Sequence, residues 1–291
     1  MNKQEYLANG GLDFTVSKRK MLYEGANDNT FTTPFFCTVN DKTKESLGPV
    51  RSRYTIIQNA DLLDNILDKL EPGSYNLDDS RCGMFKGGRK IYFFIRLNQG
   101  LSIGSDAADV YLYALSSHDG SQRLVYGIST RMHSCSNMFG ILMSDKDNNH
   151  VVKHTKRINK QDGRFINEMV NRNTEGLVRL FNVMRQNEAP LDFREYFLNI
   201  VGKIDGKKRV STVIKDRRKD LLESIESEMV DKGPTYYGLF NGLTHYLTHK
   251  HREYTNWSAE YEMLIGNSND YVKSALSQIV KNMQTNGISL N

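Results

Sequence analysis

His118-Asp119-Gly120-Ser121 sets the three residue types of nucleophilic catalysis side by side. A serine can attack, an imidazole can take its proton and a carboxylate can orient the imidazole, but only if the three converge in space. Neighbours in a tight turn point apart. Asp-Gly is itself a turn signature, because glycine adopts positive φ and aspartate bonds to the backbone two residues on. The motif therefore reads as a turn whose Asp and Ser hydrogen bond locally. His133 and Cys135 carry donors suited to zinc, with His118, His150 or His154 available to complete a site, yet the spacing matches no common zinc pattern. Cys135 reads instead as a small buried side chain at the start of a helix. Gly87-Gly88 lacks the Lys-Ser/Thr that a phosphate loop needs. No cofactor is called for. The enzymatic alternative that remains is a metal-dependent hydrolase or nuclease using His118, Asp119, His133 and His154.

A broader pattern suits nucleic acid. Arg51, Arg53, Lys86, Arg89, Lys90, Arg96, Arg123, Arg131, Lys153, Lys156, Arg157 and Lys160 are interleaved with Tyr54, Tyr92, Phe94, Tyr111 and Tyr113. Single-strand binders need this mixture, since cations neutralise phosphates while aromatic faces stack bases without reading them. The expected contacts are phosphates on Arg89, Arg96, Arg123, Arg131, Lys153, Lys156 and Arg157, with Tyr111 or Tyr113 stacking on bases. The window Lys203–Lys219 is the most basic in the chain, with Lys203, Lys207, Lys208, Arg209, Lys215, Arg217, Arg218 and Lys219 against Asp205 and Asp216. Against this stands the plainer reading in which strand aromatics are core and the cations a solvated surface.

The elements that must position these side chains fall into two halves. From Asp109 to Met143, apolar and polar residues alternate on both sides of Ser116–Gln122, as in a β-hairpin, and a helix is expected after Arg131. A second hairpin is expected over Arg81–Leu97 around Gly87-Gly88, with Ile91, Phe93, Ile95 and Leu97 on one side. Val50–Ile57 reads as a strand, and Asn59 opens a helix whose stripe is Leu62, Leu63, Ile66, Leu67 and Leu70, stopped by Pro72-Gly73. Later helices are expected over Arg164–Arg185, Leu191–Ile204, a stretch through Leu221–Met229, Tyr236–Lys250 and Asn269–Met283, with Gly233-Pro234 as a break. The fold class is α+β, a largely antiparallel sheet of hairpins followed by a mostly helical half. The domain plan is an N-terminal arm over 1–30, an α+β core over 31–200 and a helical region over 201–291 packed on the core.

At 291 residues and 38% hydrophobic content the chain can bury a proper core. The net charge of +5 permits nucleic acid without demanding it. Three cysteines are too few for a disulfide framework, which suits a reducing compartment. The polar opening MNKQEYLANGGLDF is no signal peptide, and no run reaches the roughly 18 apolar residues of a membrane span. No membrane partner and a cytoplasmic location are expected.

Several short motifs in order carry a resemblance. Gly87-Gly88-Arg89 before an aromatic strand, Ser116-Ser117-His118-Asp119-Gly120-Ser121, the Arg131…Cys135-Ser136-Asn137 segment, Lys153-His154-Thr155, Tyr236–Tyr246 and Ile265-Gly266 look like the phage/plasmid-like proteins of the domain-of-unknown-function 932 family. The resemblance runs from about Lys18 to Lys281. It implies a role in phage or plasmid DNA replication, recombination or host takeover, within a bacterial cytoplasm. The hairpin sheet followed by a helix also resembles the core of single-strand annealing recombinases. The expectation is a non-enzymatic protein that binds DNA, preferably single-stranded, and forms homo-oligomers. The rivals are the metal-dependent enzyme and a protein-interaction or virion-associated factor.

Overall fold

The computed structural model describes residues 1–25, 28–104, 106–132, 138–141, 151–152, 154, 163–202, 211–250 and 267–290. The elements in order are α1 (Lys3–Asn9), β1 (Val16–Glu24), β2 (Thr30–Asn40), β3 (Ser46–Arg51), α2 (Asn59–Leu67), β4 (Tyr75–Phe85), β5 (Lys90–Ile103), β6 (Asp106–Ser117), β7 (Leu124–Met132), β8 (Met138–Ile141), β9 (Val151–Val152), α3 (Gly163–Gln186), α4 (Leu191–Gly202), α5 (Thr212–Lys232), α6 (Tyr236–His245) and α7 (Asn267–Thr285). A π-turn over Tyr246–Lys250 continues α6. The chain is α+β, with antiparallel sheets in its N-terminal half and helices in its C-terminal half. One sheet has three strands in the order β1-β2-β3, and the other runs β4-β5-β6-β7-β8 with β9 beside β7.

Two compact units interleave along the sequence. The first comprises Met1–Gln99, Tyr111–Gly127 and Asp145–Asn171, and the second Gly100–Val110, Ile128–Ser144 and Arg172–Asn291.

In the first unit, α1 and the start of β1 contribute buried side chains to the body. Asn2 caps α1 through a capping box with Glu5, which satisfies two backbone donors reciprocally. Tyr6 is 1% exposed, and its hydroxyl donates to the carbonyls of Arg81 and Phe94. The Cys82 thiol donates to the Tyr6 carbonyl at 3.1 Å, and burial pushes that thiol up to about 12. Leu7, Leu12, Phe14 and Val16 are buried too. Their spacing crosses a helix, a turn and a strand, so no single period reveals them. The α2 stripe is buried as its spacing predicts, and so are Ile91, Phe93, Ile95 and Leu97 of β5. β3 stops at Arg51, short of the strand expected to Ile57. The Lys18 ammonium takes the carbonyls of Ser52 and Tyr54 at 2.9 and 3.0 Å, which removes them from any ladder.

In the second unit α6 is buried on every side, from Tyr236 and Tyr237 through Leu239, Phe240 and Leu243. A Cβ on Gly242 would stand 2.4 Å from Ile225 Cα, so glycine is what lets α5 and α6 cross closely. Thr235 caps α6 by accepting from Gly238 N at 3.1 Å. Asp106 accepts from Lys232 Nζ at 3.3 Å and Tyr237 Oη at 3.1 Å, with the Lys232 side chain 4% exposed. The segment after β7 that sequence spacing assigns to a helix contains β8 instead, paired antiparallel with β7 from Ile128↔Ile141 to Arg131↔Met138. A short apolar run such as Met138–Ile141 has no period that separates helix from strand.

Candidate nucleic-acid interface

The hairpin turn at His118 is a turn and a structural hub. Ser121 N donates to Asp119 Oδ1 at 2.9 Å and Gly120 has φ +70°, so Asp119-Gly120 closes the turn locally. His118 is 1% exposed. Its N–H reaches the Arg89 carbonyl at 2.7 Å, and its own carbonyl accepts from Thr38 Oγ1 at 2.7 Å. The Asn59 amide nitrogen donates to the carbonyls of Leu12 and Phe14, which leaves Asn59 Oδ1 to face His118 Nε2 at 2.9 Å. An acceptor there requires Nε2 to carry the proton, so neutral His118 has its lone pair on Nδ1. That atom is buried with no hydrogen-bond partner among the described residues. Burial, aided by the neighbouring His154, pulls the imidazole down to about 4. His154 stacks on Tyr54 with ring centroids 4.9 Å apart, and its Nε2 lies 3.3 Å from Ser116 Oγ. Burial lowers its proton affinity as well. Among the described residues no three His, Cys, Asp or Glu side chains gather where a metal ion would fit, and His133, Cys135 and His150 lie outside those residues.

The predicted nucleic-acid residues differ in exposure and partners. Arg89 is exposed in the β4–β5 turn, beside Lys86, Gly87 and Gly88, which all have positive φ. Arg123 is exposed just before β7. Arg96 is half-buried on β5 and ion-paired with Asp79. Arg131 is half-buried on β7, in the second unit. Tyr111 and Tyr113 are 8% and 0% exposed and pack on Phe94 with centroids 6.0 and 6.1 Å away. Their rings are core and present no face to an unpaired base. Gly127 makes room for Tyr113, since a Cβ there would stand 2.1 Å from its hydroxyl oxygen. Lys153, Lys156 and Arg157 lie outside the described residues. In the basic window, residues 203–210 do so too. Arg218 is ion-paired with Glu195 at 2.7 Å and Lys219 with Glu223 at 3.9 Å.

The combination of cations and open aromatic rings occurs elsewhere, on the three-stranded sheet. Directly opposed residues in an antiparallel pair share a face. β1 and β2 pair as Arg19↔Cys37 and Tyr23↔Phe31, and β2 and β3 as Phe35↔Arg51 and Cys37↔Pro49. The register shift between Lys20 and Leu22 adds two residues on β2, an even number that keeps parity. One face therefore carries Arg19, Met21, Tyr23, Phe31, Phe35 and Arg51. The opposite face is anchored, since Thr38 and Val50 on it are buried. Tyr23, Phe31 and Phe35 are 55%, 46% and 44% exposed, and the Tyr23 and Phe31 rings stack at 5.4 Å. Arg19 and Arg51 are exposed, as are Lys20 and Arg53 beside them. Asp41 lies within electrostatic reach of Arg19 at the inner end of the face.

Part of this face lies in residues 1–30, which by composition are expected to form a peripheral arm. The odd-numbered alternation of Phe31, Thr33, Phe35, Cys37 and Val39 in TFTTPFFCTVN is the signal that marks it.

Residues 46–286, most of the chain, match the family model described as Domain of unknown function (DUF932), and the chain belongs to that family. The match begins at the first residue of β3, so β1 and β2 precede it. No curated protein and no solved structure matches the chain. No helix among the described residues is long and apolar enough to cross a membrane.

Proposed function

We propose that this protein binds single-stranded DNA without hydrolysing it, and mediates strand annealing or recombination during the replication of a phage or plasmid. The observation that carries the reading is the outer face of the β1-β2-β3 sheet, where Phe35 sits opposite Arg51, with Arg19 on the same face and the stacked Tyr23 and Phe31 further along it. A solvent-exposed Phe beside two arginines gives stacking and phosphate neutralisation at one place. Large apolar side chains left open in this density mark a contact surface. The surrounding charge agrees, with Lys18, Arg19, Lys20, Arg51 and Arg53 against Glu24 within Val16–Glu24 and Pro49–Arg53. Arg89 and Arg123, both exposed, extend the set of cations available to a strand.

The chemistry asked of this surface is neutralisation and stacking, neither of which needs a nucleotide or a catalytic group. The test is a titration of a labelled oligonucleotide at two salt concentrations. Binding that weakens as salt rises supports the reading, and the absence of binding at low salt overturns it.

A further inference from the structure

β1 stands at the edge of the three-stranded sheet, and among the described residues no strand pairs with its outer side. The start of that edge is closed. The Gln58 side-chain amide accepts from Val16 N and donates to Val16 O, both at 2.9 Å, as a neighbouring strand would. These two bonds also fix which backbone groups face outward. In an antiparallel strand alternate residues direct both N–H and C=O to the same side. Val16 points out, so Lys18, Lys20, Leu22 and Glu24 point out as well. Met21 is of the other parity, and its carbonyl accordingly accepts from Thr33 on β2 at 3.1 Å.

The open rungs carry a charge gradient, with Lys18 and Lys20 at one end and Glu24 at the other. An edge this long with Leu22 56% exposed is a template for another strand. We infer that β1 pairs antiparallel with β1 of a second copy of this chain, about a two-fold axis through Met21. Because opposed residues share a face, the two-fold restricts the register to one in which paired residue numbers sum to an even value. Centring on Lys20 sets two lysines against each other, which costs stability. Centring on Met21 sets Lys18 opposite Glu24 of the second copy, Lys20 opposite its Leu22 and Arg19 opposite its Tyr23. Each pair occurs twice, and every open rung from Lys18 to Glu24 is used. Lys18, with two of its three ammonium donors on the carbonyls of Ser52 and Tyr54, keeps one for Glu24 at each end, and each Arg19 lies over an aromatic ring. The isologous contact closes on itself, so the product is a dimer and not a fibre. Its axis is normal to the sheet, which leaves both copies of the Arg19, Phe35 and Arg51 face on one side. The pairing stands on the edge and its charges, and holds whether or not that face binds DNA.

Three variants of the full chain test it by sedimentation and cross-linking. Lys20→Pro removes a donor that points away from β2, so the chain keeps its fold, verified by an unchanged circular dichroism spectrum. Each dimer then loses two hydrogen bonds and gains two blocking rings, and its dissociation constant is expected to rise about a hundredfold. Met21→Cys, in a chain with Cys37 and Cys135 replaced by serine, is expected to give a covalent dimer on mild oxidation. The two thiols meet on the axis, where Cα atoms of a non-hydrogen-bonded pair are about 4.5 Å apart. Glu24→Cys in the same background is expected to give no covalent dimer under the same oxidation, because its opposite residue is Lys18 and not a second copy of the new thiol. A protein that stays monomeric at every concentration overturns the inference. So does a dimer indifferent to Lys20→Pro, or one in which Glu24→Cys cross-links and Met21→Cys does not.

Discussion

Asn59 Oδ1 lies 2.9 Å from His118 Nε2 and can only accept there, because its amide nitrogen is committed to the carbonyls of Leu12 and Phe14. The fold thus selects neutral His118, whose buried Nδ1 has no hydrogen-bond partner among the described residues, and holds its proton affinity near 4. An unfolded histidine titrates near 6.5. Between these values the unfolded chain binds a proton that the folded chain refuses, so stability is full above about pH 6.5 and falls as pH drops towards 4. The loss from His118 alone is on the order of 3 kcal/mol, with His154 acting in the same direction. Urea unfolding at pH 7 and pH 4.5 measures it. His118→Gln is expected to be less stable at pH 7 and to show a shallower fall with acid than the unaltered protein. Parallel falls would contradict the assignment.

Asp106 with Lys232 and Tyr237 is a part-buried polar cluster of the second unit. Replacing Asp106 with alanine removes one carboxylate from the Lys232 ammonium, whose side chain is 4% exposed, and leaves Asp231 beside it at 2.9 Å. The expected cost is about 1–2 kcal/mol, read as a lower urea midpoint, because a charge-assisted hydrogen bond is lost and the Tyr237 hydroxyl loses this acceptor.

Gly242 lies inside α6, where alanine would raise helix propensity by about 1 kcal/mol. Packing decides against it. The added Cβ would meet Ile225 Cα at 2.4 Å, a backbone atom with nowhere to move. Gly242→Ala is expected to lower stability by about 2 kcal/mol despite the propensity gain, as overpacked cores do. A higher Tm in the variant would show that α5 and α6 do not cross this closely.

Phe35 and Tyr113 separate exposed aromatic residues from core ones. Phe35→Ala is expected to leave stability within about 0.5 kcal/mol and to weaken single-strand binding by about 1–3 kcal/mol, the value of one stacked base. Tyr113→Phe removes a buried hydroxyl that has no hydrogen-bond partner among the described residues. It is expected to leave DNA binding unchanged and stability equal or higher.

Much of the fold is legible in the sequence where one period dominates. The alternation Ile91, Phe93, Ile95, Leu97 and the stripe Leu62, Leu63, Ile66, Leu67 name their elements and their buried sides correctly. The family was legible too, from the order of its short motifs. The site was less so, for two physical reasons. From Val110 to His118 every residue is buried, so alternation there separates two covered faces and says nothing about which tyrosine meets solvent. In β1 the reverse holds. Its mixture of Lys, Arg, Leu and Tyr announces exposure, but its meaning comes from Phe31, Phe35 and Arg51, which only the register of β2 and β3 sets beside it. The expected helix after Arg131 failed because Met138–Ile141 is too short to carry a period.

The outer face of the β1-β2-β3 sheet is the proposed seat of single-stranded DNA. Anisotropy of a labelled oligonucleotide, measured from low to high salt with the unaltered protein and with an Arg19→Ala, Arg51→Ala variant, tests it most directly. Each lost phosphate contact lowers the slope of log affinity against log salt by about 0.7 on a single strand. The double variant is expected to fold normally, to bind more weakly at low salt and to lose about 1.4 from that slope. Equal affinity and equal slope in the two proteins would contradict it.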